Sequence, residues 1–167
     1  MSRLEGQCLC GAVTLSFVPL KDALGACHCE VCRRWTGSAF LEIDAEPGTL
    51  THEGPVKSLA SSDWAERAWC DHCGSTLWYH VTLPGHDYYS ISAGLVDDAG
   101  GLELKTEIYI DVKPAGFAFA GEHETNTKAE VDAGFGALVE GHKARIYYPP
   151  IGAAGRSRVR SGGWHTA

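Results

Sequence analysis

The chain has 167 residues, 44% of them hydrophobic and 21% charged, a length and mix that suit one folded domain and exclude a disordered or fibrous chain. No apolar run approaches the roughly 20 residues that span a bilayer, and the opening Met1-Ser2-Arg3-Leu4-Glu5-Gly6 lacks the apolar core of a secretion signal, so the sequence predicts a cytoplasmic protein with no membrane partner. The formal charge of −7 argues against nucleic acid as a general partner, because binding to phosphates rests on Lys and Arg displacing counterions.

Short β-rich runs separated by Gly, Pro and Asp come first. They predict strands at Val13 to Phe17, Ala39 to Ile43, Glu66 to Trp69, Thr76 to His80, Tyr88 to Ala93 and Glu107 to Val112. In the first of these the odd positions are apolar, the pattern of a strand with one buried face. The fold class is therefore all-β, built from antiparallel sheets. Trp35, Trp64, Trp69 and Trp78 fall where strands pack and read as core aromatics. A short helix is expected over Thr127 to Glu140, weakened by Gly134 and Gly136 at about 1 kcal/mol each relative to Ala. Residues Pro149 to Gly155 form a linker-like break. From Lys143 onward there are five basic residues and no Asp or Glu, so the tail is electrostatically separate from the acidic body. Trp164 near its end either carries no meaning or marks docking of the tail on the same chain or on a partner subunit, which leaves a homodimer open.

All seven cysteines lie in three clusters: Cys8 and Cys10; Cys27, Cys29 and Cys32; Cys70 and Cys73. In a chain with no export signal such clusters read as metal ligands before disulfides, since the cytosol keeps thiols reduced. Two thiolates separated by two residues can meet one ion from a tight turn, and Gly11 and Gly74, directly after two of the clusters, permit the positive φ such turns need. Packing gives no reason for seven thiols to cluster in this way. Iron-sulfur ligation is the rival to zinc, and colour separates the two. Four sulfurs close one tetrahedral Zn²⁺ site, and three leave a second site with a free position, so two zinc ions per chain are expected, one structural and one reactive. Chemistry alone does not assign the clusters. Cys27, Cys29 and Cys32 nevertheless form a natural local triple, and the pairs Cys8/Cys10 and Cys70/Cys73 then join across the fold.

Three thiolates give zinc a net charge of −1, which suits an incoming thiol better than it suits carbonyl activation. A thiol entering the fourth position loses its proton and becomes a held nucleophile. His28, His72 and His80 lie near the clusters, but the sulfur count suffices without them. Arg33 and Arg34 follow Cys32 and can clamp a carboxylate of the thiol substrate, or else balance the anionic site. Thr36, Gly37 and Ser38 offer backbone and hydroxyl donors to the same ligand, or else make a tight turn.

The segments GQCLCGAV, CHCEVCRRWTGSAF and WCDHCGSTLW, followed by the weaker SISAGLVDD and EIYIDVKP, resemble the glutathione-dependent formaldehyde-activating enzyme family, which includes the centromere-protein-V-like proteins. The resemblance implies a Mss4-like fold of folded-over antiparallel sheets held by zinc over residues 1–120, followed by an extension over residues 121–167. It also implies a structural zinc on Cys8, Cys10, Cys70 and Cys73, and a catalytic zinc on Cys27, Cys29 and Cys32. The implied activity is that of a carbon-sulfur lyase, in which glutathione adds to formaldehyde to give S-hydroxymethylglutathione. Where members often carry a tryptophan shortly after a Lys-Pro, this chain has Lys113-Pro114-Ala115-Gly116-Phe117, a segment expected to shape the substrate pocket. Two other readings compete: a non-catalytic zinc module that binds protein or chromatin through the basic tail, and a thiolate sensor of metal or oxidant.

Overall fold

The computed structural model describes residues 1–99 and 101–139; the basic tail, Trp164 and the break at residues 149–155 lie outside the described residues. Eleven strands and two α-helices run in chain order through them. The strands are β1 (Leu4–Gln7), β2 (Thr14–Phe17), β3 (Ala23–Cys27), β4 (Phe40–Ala45), β5 (Thr51–Glu53), β6 (Val56–Ser62), β7 (Ala65–Cys70), β8 (Thr76–Val81), β9 (Tyr88–Ser92), β10 (Glu103–Ile108) and β11 (Glu124–Asn126). The helices are α1 (Glu30–Thr36) and α2 (Lys128–Val139). Among the described residues no helix is long and apolar enough to cross a membrane.

The strands form a three-stranded sheet, β1-β2-β5, and an eight-stranded sheet, β11-β10-β3-β4-β9-β8-β7-β6. Pairing is antiparallel throughout except that β10 runs parallel to both β3 and β11. That exception departs from the purely antiparallel expectation. Both parallel pairs need long connections, and β11 already falls within the expected extension, so its first residues complete the sheet edge.

Alternation along the strands divides the large sheet into two faces. One carries Ile43, Ala45, Ala68, Trp78 and Ile91, and receives Val13, Leu15 and Phe17 from the small sheet and its approach; all eight are buried. The odd-position pattern read at residues 13 to 17 therefore marks the main core. The opposite face carries a second, smaller cluster of Cys27, Cys32 and Phe40, with Cys29, Trp35, Tyr79, Ile108 and Tyr109 packed on it. Of the four tryptophans read as core, Trp78 is buried, whereas Trp35, Trp64 and Trp69 are only partly so. Gly6 carries the contact between β1 and the segment after β9: a Cβ there would sit 2.3 Å from the carbonyl oxygen of Leu95, so no other residue fits.

The helix expected over Thr127 to Glu140 is α2. Its start is a capping box: the Glu130 carboxylate accepts from the Thr127 N–H at 2.7 Å and Thr127 Oγ1 accepts from the Glu130 N–H at 3.4 Å.

Candidate metal centres

Two turns and one helix start build the cysteine sites. In the first turn Gly11 N–H donates to the Cys8 carbonyl at 3.0 Å, and in the second Gly74 N–H donates to the Cys70 carbonyl at 2.9 Å. Gly11 and Gly74 have φ of +72° and +75°, the left-handed geometry expected of them. The strand pair β7–β8 and the approach to β2 bring these turns together, although Cys10 and Cys70 are 60 residues apart in sequence. Cys8 Sγ lies 3.5 Å from Cys10 Sγ, which lies 3.9 Å from Cys70 Sγ. A tetrahedral zinc with four sulfurs at about 2.3 Å has sulfur–sulfur edges of about 3.8 Å, so the donor set fits that ion. Cys8, Cys10, Cys70 and Cys73 have their sulfurs within 4.8 Å of one another.

Donors already point at these sulfurs. Val13 N–H donates to Cys8 Sγ at 3.2 Å, and Ser75 Oγ lies 3.2 Å from Cys73 Sγ. The Ser75 hydroxyl and N–H hold the Cys73 thiol down at about 5. Ser75 Oγ also accepts from Leu9 N–H at 3.1 Å, which ties the two turns directly.

Cys27 ends β3, Cys29 caps α1 and Cys32 lies in its first turn, and their three sulfurs are likewise within 4.8 Å of one another. Among the described residues this group closes at three. Cys27 and Cys32 are buried and Cys29 is half-buried, so access is from the Cys29 side. Hydrogen bonds from the thiols of Cys27 and Cys32 hold Cys29 well below the usual thiol range, and the same contacts together with burial push Cys27 up. One thiolate shared by two thiols is the metal-free form of a ligand set.

The turn carrying Cys27 and Cys29 is pinned by His28. Its N–H donates to the Ile108 carbonyl at 3.0 Å, and its carbonyl accepts from Arg33 Nε at 2.9 Å. Its fully buried ring places Nε2 2.6 Å from Glu107 Oε1, while His123 Nε2 lies 2.5 Å from Glu107 Oε2. Burial would raise the Glu107 pKa, but bonds from the two imidazoles hold it below the usual range. His28 is thus a brace for the turn. His80 lies against Glu66 and Asp87, and neither it, His28 nor His72 joins a ligand group.

The residues expected to bind substrate divide. Arg33, Arg34, Gly37 and Ser38 line an open cavity of about 340 Å³ with Glu30 and with Pro114 and Phe117 of the 113–117 segment. No cysteine lines it. Positions 30, 33, 34 and 37 share one side of α1, away from the side that carries Cys29, Cys32 and Thr36. Thr36 Oγ1 lies 3.0 Å from the Cys32 carbonyl and 2.7 Å from that of Ser38, and Gly37 closes the helix at φ +80° with its N–H on the Arg33 carbonyl. Helix termination accounts for both residues.

What faces the three sulfurs comes instead from distant strands. Arg67 on β7 places Nη2 3.8 Å from Cys32 Sγ, between the rings of Trp35 and Tyr79. Glu42 on β4 stands two residues from Phe40, the partner of Cys27, and so on the same face. Burial pushes its carboxyl up to about 8, with Asp44 and Cys29 adding to the rise. Gly25 faces it closely: a Cβ there would come within 3.3 Å of the Glu42 side chain. Tyr109, the one non-glycine described residue with positive φ (+60°), packs on the triad and donates to Asp132 of α2 at 2.8 Å. Strand alternation in the sequence marks the face of Arg67 and Glu42; only the pairing order puts them beside the cysteines.

The chain matches the family described as glutathione-dependent formaldehyde-activating enzyme over residues 3–112. An uncharacterized lyase of Schizosaccharomyces pombe is 35% identical over 133 residues, covering 78% of this chain and 96% of that protein. A crystal structure of a Rhodobacter sphaeroides protein matches with a TM-score of 0.47 at 18% identity, covering 61% of this chain and 100% of that one.

Proposed function

The chain belongs to the glutathione-dependent formaldehyde-activating enzyme family, and from that premise we propose that it is a zinc-dependent carbon-sulfur lyase that joins a small thiol to an aldehyde, or runs the reverse. The observation that carries this reading is the contrast between two ligand groups in one chain, one of four sulfurs and one of three. The four-sulfur group is assigned a structural zinc, and Cys27, Cys29 and Cys32 a catalytic one. A zinc held by the thiolates of Cys27, Cys29 and Cys32 would supply a position at which an entering thiol gives up its proton.

In the addition the substrate sulfur bonds to the carbonyl carbon, the C=O π pair moves to oxygen, and that oxygen takes up a proton. Cleavage returns the proton and re-forms the carbonyl. Glu42 is assigned to carry that proton, since a carboxyl with its pKa pushed up to about 8 can both give and take one near neutrality. The buried ring of Phe40 and the partly buried ring of Trp35 form the apolar side of the sulfur group. Arg33 and Arg34, across α1, are assigned to the far end of the thiol substrate, where a molecule of glutathione's size carries carboxylates.

The test is a screen of zinc-loaded protein with glutathione and other small thiols against formaldehyde and larger aldehydes, following the thiohemiacetal by NMR. Adduct formation faster than the uncatalysed rate for at least one pair is expected. Equal rates for every pair would overturn the assignment.

A further inference from the structure

Arg67 is a cation set against the open ligand group on the same face of the sheet, from the distant strand β7. Its Nη2 reaches Cys32 Sγ at 3.8 Å and its Nη1 donates to Ser61 Oγ. Its Nε is buried and has no hydrogen-bond partner. The guanidinium lies 4.9 Å from the Tyr79 ring centroid and 5.5 Å from that of Trp35, so its position is held. The strand register places Arg67 opposite Tyr79, Tyr79 opposite Ser90 and Ser90 opposite Asp44, a polar row running across the sheet.

A zinc with three thiolates carries a net charge of −1, and a fourth thiolate makes it −2. Each added negative charge near a low-dielectric wall is costly unless a cation faces it. Lys128 also feels the charge of Cys29 from over the Tyr109 ring, but Arg67 is the cation whose guanidinium reaches one of the three sulfurs. Arg33 contacts the turn through its backbone carbonyl, and Arg34 pairs with Glu30.

Resting on the lyase reading above, we propose that Arg67 is a positioning residue that holds Cys32 and offsets the charge of the fourth thiolate, so that the site selects an anionic sulfur over neutral water. The inference concerns which ligand the open position takes, and it adds to the cysteines a residue 35 positions away from Cys32.

The experiment uses full-length protein loaded with Co²⁺, whose thiolate charge-transfer and ligand-field bands report the ligands of each site. Wild type, Arg67→Lys and Arg67→Met are titrated with glutathione and with 2-mercaptoethanol, without aldehyde. Thiol binding in Arg67→Met is expected to be weaker by roughly ten- to a hundredfold, the range for a lost hydrogen bond to a charged group. Arg67→Lys, which keeps the charge and loses the fork, is expected to fall between. The bands of the four-sulfur site should be unchanged in all three proteins, which shows that the variants fold. Equal thiol affinity in wild type and Arg67→Met overturns the proposal. If wild-type cobalt protein binds neither thiol, the lyase reading fails by itself. The Arg67 proposal is then judged on chelator extraction of the open-site metal, which it predicts to be faster in Arg67→Met than in wild type, and equal rates overturn it.

Discussion

Replacing Glu42 by Gln is expected to change stability and activity in opposite directions. Burial pushes the Glu42 carboxyl from 4.5 to about 8 in the folded chain. A group whose folded pKa is raised is proton-bound in the native state and ionised in the unfolded chain between those two values. Its contribution is therefore fully present below pH 4.5 and is lost as pH rises through 8. The loss runs at about 1.4 kcal/mol per pH unit well inside that window and tapers as pH approaches 8, so wild type falls relative to Glu42→Gln by about 2.3 kcal/mol between pH 6 and pH 8. Glutamine keeps the shape and never ionises. Urea unfolding of both zinc-loaded proteins at pH 6, 7, 8 and 9 reads this as the difference between the two curves. The difference should grow to pH 8 and flatten above it. Turnover at pH 7 should drop by roughly 10²- to 10⁴-fold, the usual worth of a proton carrier. Parallel stability curves would refute the burial argument, and unchanged turnover would refute the assigned role.

Cys70→Ser and Cys29→Ser should each release one zinc, with unequal consequences. The cross-link from Cys10 to Cys70 closes 60 residues, worth about 4 kcal/mol of chain entropy by analogy with a disulfide, whereas Cys27 to Cys32 closes a short turn worth about 2 kcal/mol. Urea midpoints of the two variants should differ in that order, and the reverse order would contradict the structural and catalytic division. Arg33→Ala with Arg34→Ala should raise KM for glutathione several-fold while leaving KM for 2-mercaptoethanol and the zinc content unchanged; a matching loss for both thiols would remove the cavity from the substrate path.

The ligand groups were legible in the sequence because metal chemistry imposes short spacings: Cys-x-Cys and Cys-x-x-Cys pairs are a local signal, and the glycines that directly follow two of the three clusters, Gly11 and Gly74, carry the positive φ such turns require. The strands at residues 13 to 17 and 76 to 80 were legible for a similarly local reason, alternation or β-branched and aromatic density. β1 and β3 were not, since Gly6 and Gly25 break the pattern where another backbone or side chain comes close. α1 spans only seven residues, too short to show a helical period, so the sequence did not reveal that a helix capped by Cys29 and Gly37 carries Arg33 and Arg34 on the side away from Cys32. Arg67 and Glu42 reach the site through strand order alone, which no local pattern encodes.

X-ray absorption at the zinc edge, with metal counting on the same sample, tests the division into a closed and an open site most directly. Two zinc ions sharing seven protein sulfurs, and one further sulfur on saturation with glutathione, is the expected result. A single zinc, or a second ion already saturated by protein ligands and indifferent to added thiol, would contradict it.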